Sequence, residues 1–182
     1  KLITSGGTIV DGNIAFADGH GIDFSANANS SATGATMTSE LLDDYEEGTF
    51  IPLCNFATAS PTAGKTAGNG QYTKIGRQVH CHFTLVDINV SGASGDIQIQ
   101  NMPFTTTADS GDGAVTQFIG TVRTNNCNFA GSTFLTSQIA DNSTNCKITE
   151  NIDNSVGDTI TSGNCTDGST DFLVSISYTT AS

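Results

Sequence analysis

At 182 residues the chain suits one domain with a proper core, or one domain plus a short appendage, and two full domains are not expected. Charged residues make up only 13%, and a net charge of −12 with six basic side chains (Lys1, Lys65, Lys74, Arg77, Arg123 and Lys147) excludes a phosphate-neutralising patch and hence nucleic-acid binding. No stretch approaches the apolar length of a membrane span and no basic segment precedes an apolar one near the start, so neither membrane insertion nor a secretory signal is expected.

Leu, Ile, Val and Phe total 40 residues, about 22%, which is enough to fold. Ile outnumbers Leu two to one and there are 20 Gly, so propensity points to strands and turns rather than helices. Ser, Thr, Asn and Gly supply the polarity. Such a surface gains little from ion pairs but offers many hydrogen-bond donors and acceptors, which suits sugars, water and close repeats of the same chain. It fits an extracellular fibre better than a cytosolic enzyme. The chain begins at Lys1 rather than Met and is expected to continue a longer polypeptide.

Residues 1 to 24 carry a short repeat. Thr8-Ile9-Val10, a turn at Asp11-Gly12, Ile14 and Phe16, a turn at Asp18-Gly19, and Ile22 and Phe24 give two matched Ile-x-Phe pairs on very short strands. Strands this short cannot bury a face alone, and neighbouring turns or chains must complete the core, as in intertwined shafts. The segment reads as the last turns of a β stem, with two ordinary hairpins as the plainer reading. Residues 25 to 37 lack an apolar period and are dense in Ser, Asn and Ala, a connector that closes the stem region 1–37. Over 38–48, Thr38 or Ser39 as cap, Leu41, Leu42 and Tyr45 on one face, and Gly48 as a stop predict a short acidic helix. Its adjacent Asp43 and Asp44 do not have the alternating spacing of a calcium loop.

From Thr49 the text changes to alternating runs: Phe50 to Phe56, Gln71 to Ile75, Arg77 to Val90, Ile97 to Phe104, Val115 to Val122, Phe134 to Ile139, Cys146 to Ile152 and Phe172 to Tyr178. Separated by clusters of Gly, Asn, Asp and Ser, they predict an all-β tip domain over 49–182, a jelly-roll-like β-sandwich of two sheets. In the longest run Val79, Cys81, Phe83 and Leu85 share one face and Gln78, His80, His82 and Thr84 the other. The phase then inverts to Val86, Ile88 and Val90, which implies a β-bulge or a change of sheet. Phe172, Val174, Ile176 and Tyr178 give the last strand an equally clean inward face. The five cysteines have no CxxC spacing and read as buried thiols, with one bridge among Cys127, Cys146 and Cys165 left open.

Chemistry is sparse. His80 and His82 point the same way on a strand, the minimum geometry for sharing a metal, and on a threefold axis three chains would bring six imidazoles together. With no Cys or carboxylate nearby on that face in sequence, neither a metal nor any other cofactor is expected. There is no G-x-S-x-G elbow, and His20 sits in a stem turn. Asp96, Asp109, Asp112 and Glu150 are the carboxylates a glycosidase would draw on, but loop distances cannot be read from spacing. No enzymatic activity is expected. Hydrogen-bonding side chains on the loops are the candidate recognition groups: Asn125, Asn126 and Asn128, Asn142 and Asn145, and Asn164 and Asp167. Soluble turns are the plainer reading of the same residues.

Gly21-Ile22-Asp23-Phe24-Ser25, the run from Met37 through Glu40-Leu41-Leu42-Asp43-Asp44-Tyr45-Glu46-Glu47-Gly48-Thr49 to Pro52, then Gln71-Tyr72-Thr73-Lys74-Ile75-Gly76-Arg77 and Met102-Pro103-Phe104 resemble, in that order, the C-terminal region of tail-fibre-like structural proteins of marine tailed bacteriophages. The resemblance covers about residues 12 to 104. It implies a slender β stem leading into a C-terminal β-sandwich, assembled as a homotrimer in the virion. The stem would contact other virion proteins, and the tip would attach to a host surface glycan or protein. No catalytic or binding residue carries over. A capsid fibre, knob or decoration protein with a purely structural role is the alternative, and a surface-polysaccharide depolymerase a third.

Overall fold

The computed structural model describes residues 16–17, 19–26, 28, 33, 39–108, 117–129, 133–152 and 157–181. It divides into two units, Lys1–Asp44 and Tyr45–Ser182. In the first, β1 (Ile22–Asp23) pairs antiparallel with β2 (Leu41–Leu42). A Cβ on Gly21 would stand 1.9 Å from the Leu42 carbonyl oxygen, so only glycine lets the two segments approach this closely. Phe16, Ile22 and Phe24 are 47–53% exposed. The earlier part of the repeat, Thr8 to Ile14, lies outside the described residues.

The second unit contains β3 (Tyr45–Phe50), β4 (Leu53–Phe56), β5 (Thr66–Ala67), β6 (Asn69–Ile75), β7 (Gln78–Ile88), β8 (Ile97–Gln100), β9 (Gln117–Asn125), β10 (Thr133–Ala140), β11 (Cys146–Ile152), β12 (Asp158–Thr159) and β13 (Thr170–Thr179). Each of the eight alternating runs contains a strand. The sheet order is β3-β6-β7-β13-β9-β10-β11-β8-β4-β5, with β12 added beside β11 and every pairing antiparallel. The expected two-sheet sandwich is therefore corrected to one continuous hydrogen-bonded sheet, curled into a half-barrel.

The helix expected over 38–48 is also corrected: Leu41–Leu42 and Tyr45–Phe50 are extended. A two-turn helix is marginal by itself. Six in-register pairs from Tyr45↔Ile75 to Phe50↔Gly70 override the local preference. Two of these pairs set a glycine beneath an aromatic ring, Gly48 under Tyr72 and Gly70 under Phe50, so the rings take the space that side chains would fill.

The inside of the curl holds one cluster. Val79, Cys81, Phe83 and Leu85 of β7 and Phe172, Val174, Ile176 and Tyr178 of β13 are buried, as the alternation predicts, and meet Cys54, Phe56, Ile97, Ile99, Ile139, Cys146 and Ile148 from the other half of the sheet. Each large side chain buried this way contributes about 1.5–3 kcal/mol of hydrophobic free energy. Three of the five thiols, Cys54, Cys81 and Cys146, belong to this core, and burial pushes each up to about 12.

The phase change after Leu85 is a bulge. Phe172 pairs with Leu85 but Thr170 with Ile88, so one extra residue lies on β7, where Asp87 has φ 52°. Leu85 and Ile88 both stay inside, whereas Val86, expected inside, is 53% exposed. At the opposite margin the chain turns a corner. β4 pairs with β5 at one end of the sheet and β3 with β6 at the other, and Gly68 N–H donates to the Pro52 carbonyl at 2.8 Å between them. A bent hairpin thus connects the two ends of the curled sheet through the chain itself.

Candidate functional site

The outward side chains of the curled sheet fall into rows. Thr49 of β3 lies opposite Gln71 of β6, Gln71 opposite His82, His82 opposite Ser175, Ser175 opposite Thr121, Thr121 opposite Thr136, Thr136 opposite Thr149, and Thr149 opposite Thr159. Directly opposed residues share a face. Eight strands therefore carry one row of polar side chains, roughly 30 Å long at the usual strand spacing, in which Thr149 is buried and the stretch from Thr49 to Thr121 is the accessible part. A parallel row, Glu47–Thr73–His80–Ser177, runs beside its first half.

Over β3, β6 and β7 these rows line two shallow grooves. One, of about 460 Å³, is bordered by Glu47, Thr49, Gln71, Thr73, His80 and His82. The other, of about 480 Å³, shares Thr49, Gln71 and His82 with it and continues to Asn69 and Thr84. His80 Nδ1 is 2.9 Å from Ser177 Oγ, which orients its ring. Glu47 accepts from the Tyr45 hydroxyl at 2.5 Å. The lining offers hydroxyls, two amides, two imidazoles and a carboxylate on rigid strands, with Tyr72, Phe50 and Ile51 beside them, a set suited to hydrogen-bonding a polyhydroxylated ligand.

The histidines share a face, as their spacing requires. A carboxylate does join them, contrary to the reading from local sequence: Glu47 comes from β3, two strands away, and only the pairing reveals it. No group of three or more His, Cys, Asp or Glu side chains is placed to hold a metal ion among the described residues.

The seven loop candidates separate to the two ends of the sheet. Asn125, Asn126, Asn128, Asn164 and Asp167 gather where β9 ends and β13 begins, while Asn142 and Asn145 lie in the turn between β10 and β11 at the other end. At the first end the side chains bind the loops to one another. Asn125 Nδ2 donates to Asp171 Oδ2 at 3.2 Å, Asn126 Nδ2 to the Ser169 carbonyl at 3.0 Å, and Asn164 Nδ2 to the Asn128 carbonyl at 2.9 Å. Asp167 Oδ1 accepts from the backbone N–H groups of Val90 at 2.7 Å and Ser91 at 3.1 Å. Asn164 Oδ1 also accepts from Thr161 N–H at 2.8 Å, which caps the 3-10 turn at Ser162–Asn164. At the other end Asn142 has φ 48°, a turn position that asparagine tolerates. Asn145 borders a small groove of about 170 Å³ with Gln98, Gln117, Gln138 and Lys147.

Of the carboxylates considered for glycoside cleavage, Asp96 bridges to Thr161 through its backbone and Glu150 is 7% exposed, whereas Asp109 and Asp112 lie outside the described residues. His20 is exposed in the first unit. Comparison with family models, curated proteins and solved structures finds no match to this chain.

Proposed function

We propose that the chain is a tip module of a bacteriophage tail fibre, acting by attachment rather than catalysis, and that its outer sheet face binds a glycan of the host surface. The observation that carries this reading is the row from Thr49 through Gln71, His82 and Ser175 to Thr121, in which every side chain can hydrogen-bond and none is ionised as a carboxylate or ammonium. Sugars are recognised by such neutral donors and acceptors on a stiff scaffold, and strands hold their side chains more firmly than loops do. The loop asparagines support the scaffold more than they offer free amides. Assembly as a homotrimer, with the stem joined to other virion proteins, fits Phe16, Ile22 and Phe24, apolar side chains about half exposed that neighbouring chains of a shaft would cover.

The test is an array of bacterial surface polysaccharides probed with the whole chain, wild type and a Gln71→Ala/His82→Ala double variant. Selective glycan binding by the wild type, reduced more than tenfold in the double variant at unchanged Tm, is the expected result. Equal binding by both, or none by either, rejects the sheet-face site. Light scattering adds the assembly: three chains of 18.8 kDa are expected, and a monomer at micromolar concentration rejects the trimer.

A further inference from the structure

Cys127 and Cys165 are direct antiparallel bridge partners, although the whole of β10, β11 and β12 lies between them in the sequence. From their pairing we infer that they form a disulfide in an oxidising environment, stapling the segment after β9 to the segment before β13. Asn128 N–H donates to the Asn164 carbonyl at 2.8 Å, one residue outward on each strand, so Cys127 and Cys165 occupy a pair that does not bond to itself. Side chains approach most closely at such pairs, and their Cα separation of about 4.5 Å lies within the range a disulfide spans.

The other thiols do not compete well. Cys54, Cys81 and Cys146 are sealed in the core and are held in the thiol form by burial, while Cys127 and Cys165 are both partly exposed. Thr124 Oγ1 donates to Cys127 Sγ at 2.9 Å. The hydrogen bond from the Cys165 thiol, with this one from Thr124, favours the Cys127 thiolate and holds its pKa below that of a free thiol. Cys165 is pushed up by that shared proton and by burial. The pair is thus a nucleophile beside a resolving thiol.

With oxidised glutathione as oxidant the chemistry balances. The Cys127 thiolate attacks one glutathione sulfur and expels glutathione thiolate, leaving a mixed disulfide. Cys165 then loses its proton to water, attacks Cys127 Sγ and expels the second glutathione. Two protein thiols are oxidised and one glutathione disulfide is reduced. Little chain order has to be created, because Asn126 Nδ2 to the Ser169 carbonyl at 3.0 Å and Thr170 Oγ1 to the Asn126 carbonyl at 2.8 Å already hold the two segments together.

This pairing is independent of what the outer face binds. The experiment treats the whole chain with oxidised glutathione, alkylates the remaining thiols under denaturing conditions and maps non-reduced peptides by mass spectrometry. Free thiols are expected to fall from five to three, with a cross-linked peptide joining Cys127 to Cys165 and a rise in Tm on the order of 10 °C. Reduction should reverse both changes, and Cys127→Ser and Cys165→Ser should each abolish the cross-link. Five thiols retained, glutathione adducts without a cross-link, a bridge between chains, or a bridge from Cys165 to nearby Cys54 would each overturn the assignment. The wild-type peptide map decides these outcomes even if a serine variant folds poorly.

Discussion

A Cβ placed on Gly68 would stand 2.1 Å from the carbonyl oxygen of Thr84, with Leu85 Cδ2 at 2.9 Å behind it. The obstacle is backbone of β7, which cannot swing aside as a side chain can. This contact sits at the corner where β5 becomes β6 and the two ends of the curled sheet are connected by the bent hairpin. Gly68→Ala should lower stability by about 2–3 kcal/mol, the size of an overpacked core site. Gly163→Ala, whose Cβ meets only Thr161 Oγ1 at 3.5 Å, should change it by about 0.5 kcal/mol or less. Urea denaturation of the two variants compares them directly, and coincident midpoints would remove the corner from the account of the fold.

The strands were legible in the sequence because each buries one face, so Val79 to Leu85 and Phe172 to Tyr178 announce themselves by period alone. The bulge was legible for the same reason, since two adjacent apolar residues cannot both face inward on an unbroken strand. Which residue left the core was not: Val86 shares the inverted phase of Ile88 and Val90, yet Val86 is exposed while Ile88 is buried. Pairing order lies beyond periodicity altogether. Glu47 meets the histidine face, and His82, Ser175 and Thr121 line up, only through contacts between distant strands. The mistaken helix at 38–48 has the same origin, because its residues satisfy helical spacing until β1 and β6 supply ladder partners for Leu41–Leu42 and for Tyr45 onward.

Asp171 gives the bulge a pH dependence. Its Oδ1 accepts the Asp87 N–H at 3.0 Å, and that bond, with the Asn125 amide, holds the carboxyl below the usual aspartate value. A depressed folded pKa contributes stability above the unfolded value of about 3.9 and loses it as pH falls through the folded one. Titration followed by NMR should therefore show the Asp87 amide shifting together with the Asp171 carboxyl, at a midpoint below that of a free aspartate. Asp171→Asn should abolish the shift. An Asp87 amide indifferent to acid in the wild type counts against the bond.

Asp167 separates a structural role from a recognition role. Because its Oδ1 holds two backbone N–H groups, at Val90 and Ser91, Asp167→Ala should cost about 1–2 kcal/mol and increase hydrogen exchange at both amides. Reduced glycan binding without any thermal destabilisation would instead make Asp167 a ligand contact. Asp167→Asn, which keeps an accepting oxygen, should restore most of the lost stability.

Ser137 offers a gain. It is fully buried between β9 and β11, and its hydroxyl has no hydrogen-bond partner among the described residues. Replacing it by alanine removes a desolvated polar atom, a penalty of about 1–3 kcal/mol, but opens a small space. The two effects oppose, and Ser137→Ala should emerge neutral to about 1 kcal/mol more stable. Gly120 explains why the gain is not larger: a Cβ there would lie 2.5 Å from Ser137 Oγ, so the hydroxyl occupies room that the glycine leaves. Yet the same Cβ would lie 2.3 Å from the Ser175 carbonyl oxygen. Gly120→Ala should therefore destabilise the sheet even in the Ser137→Ala background. Thermal unfolding of the two single variants and the double variant separates the two contacts: full rescue would assign the constraint to the serine hydroxyl, and partial or no rescue assigns it to the backbone of β13.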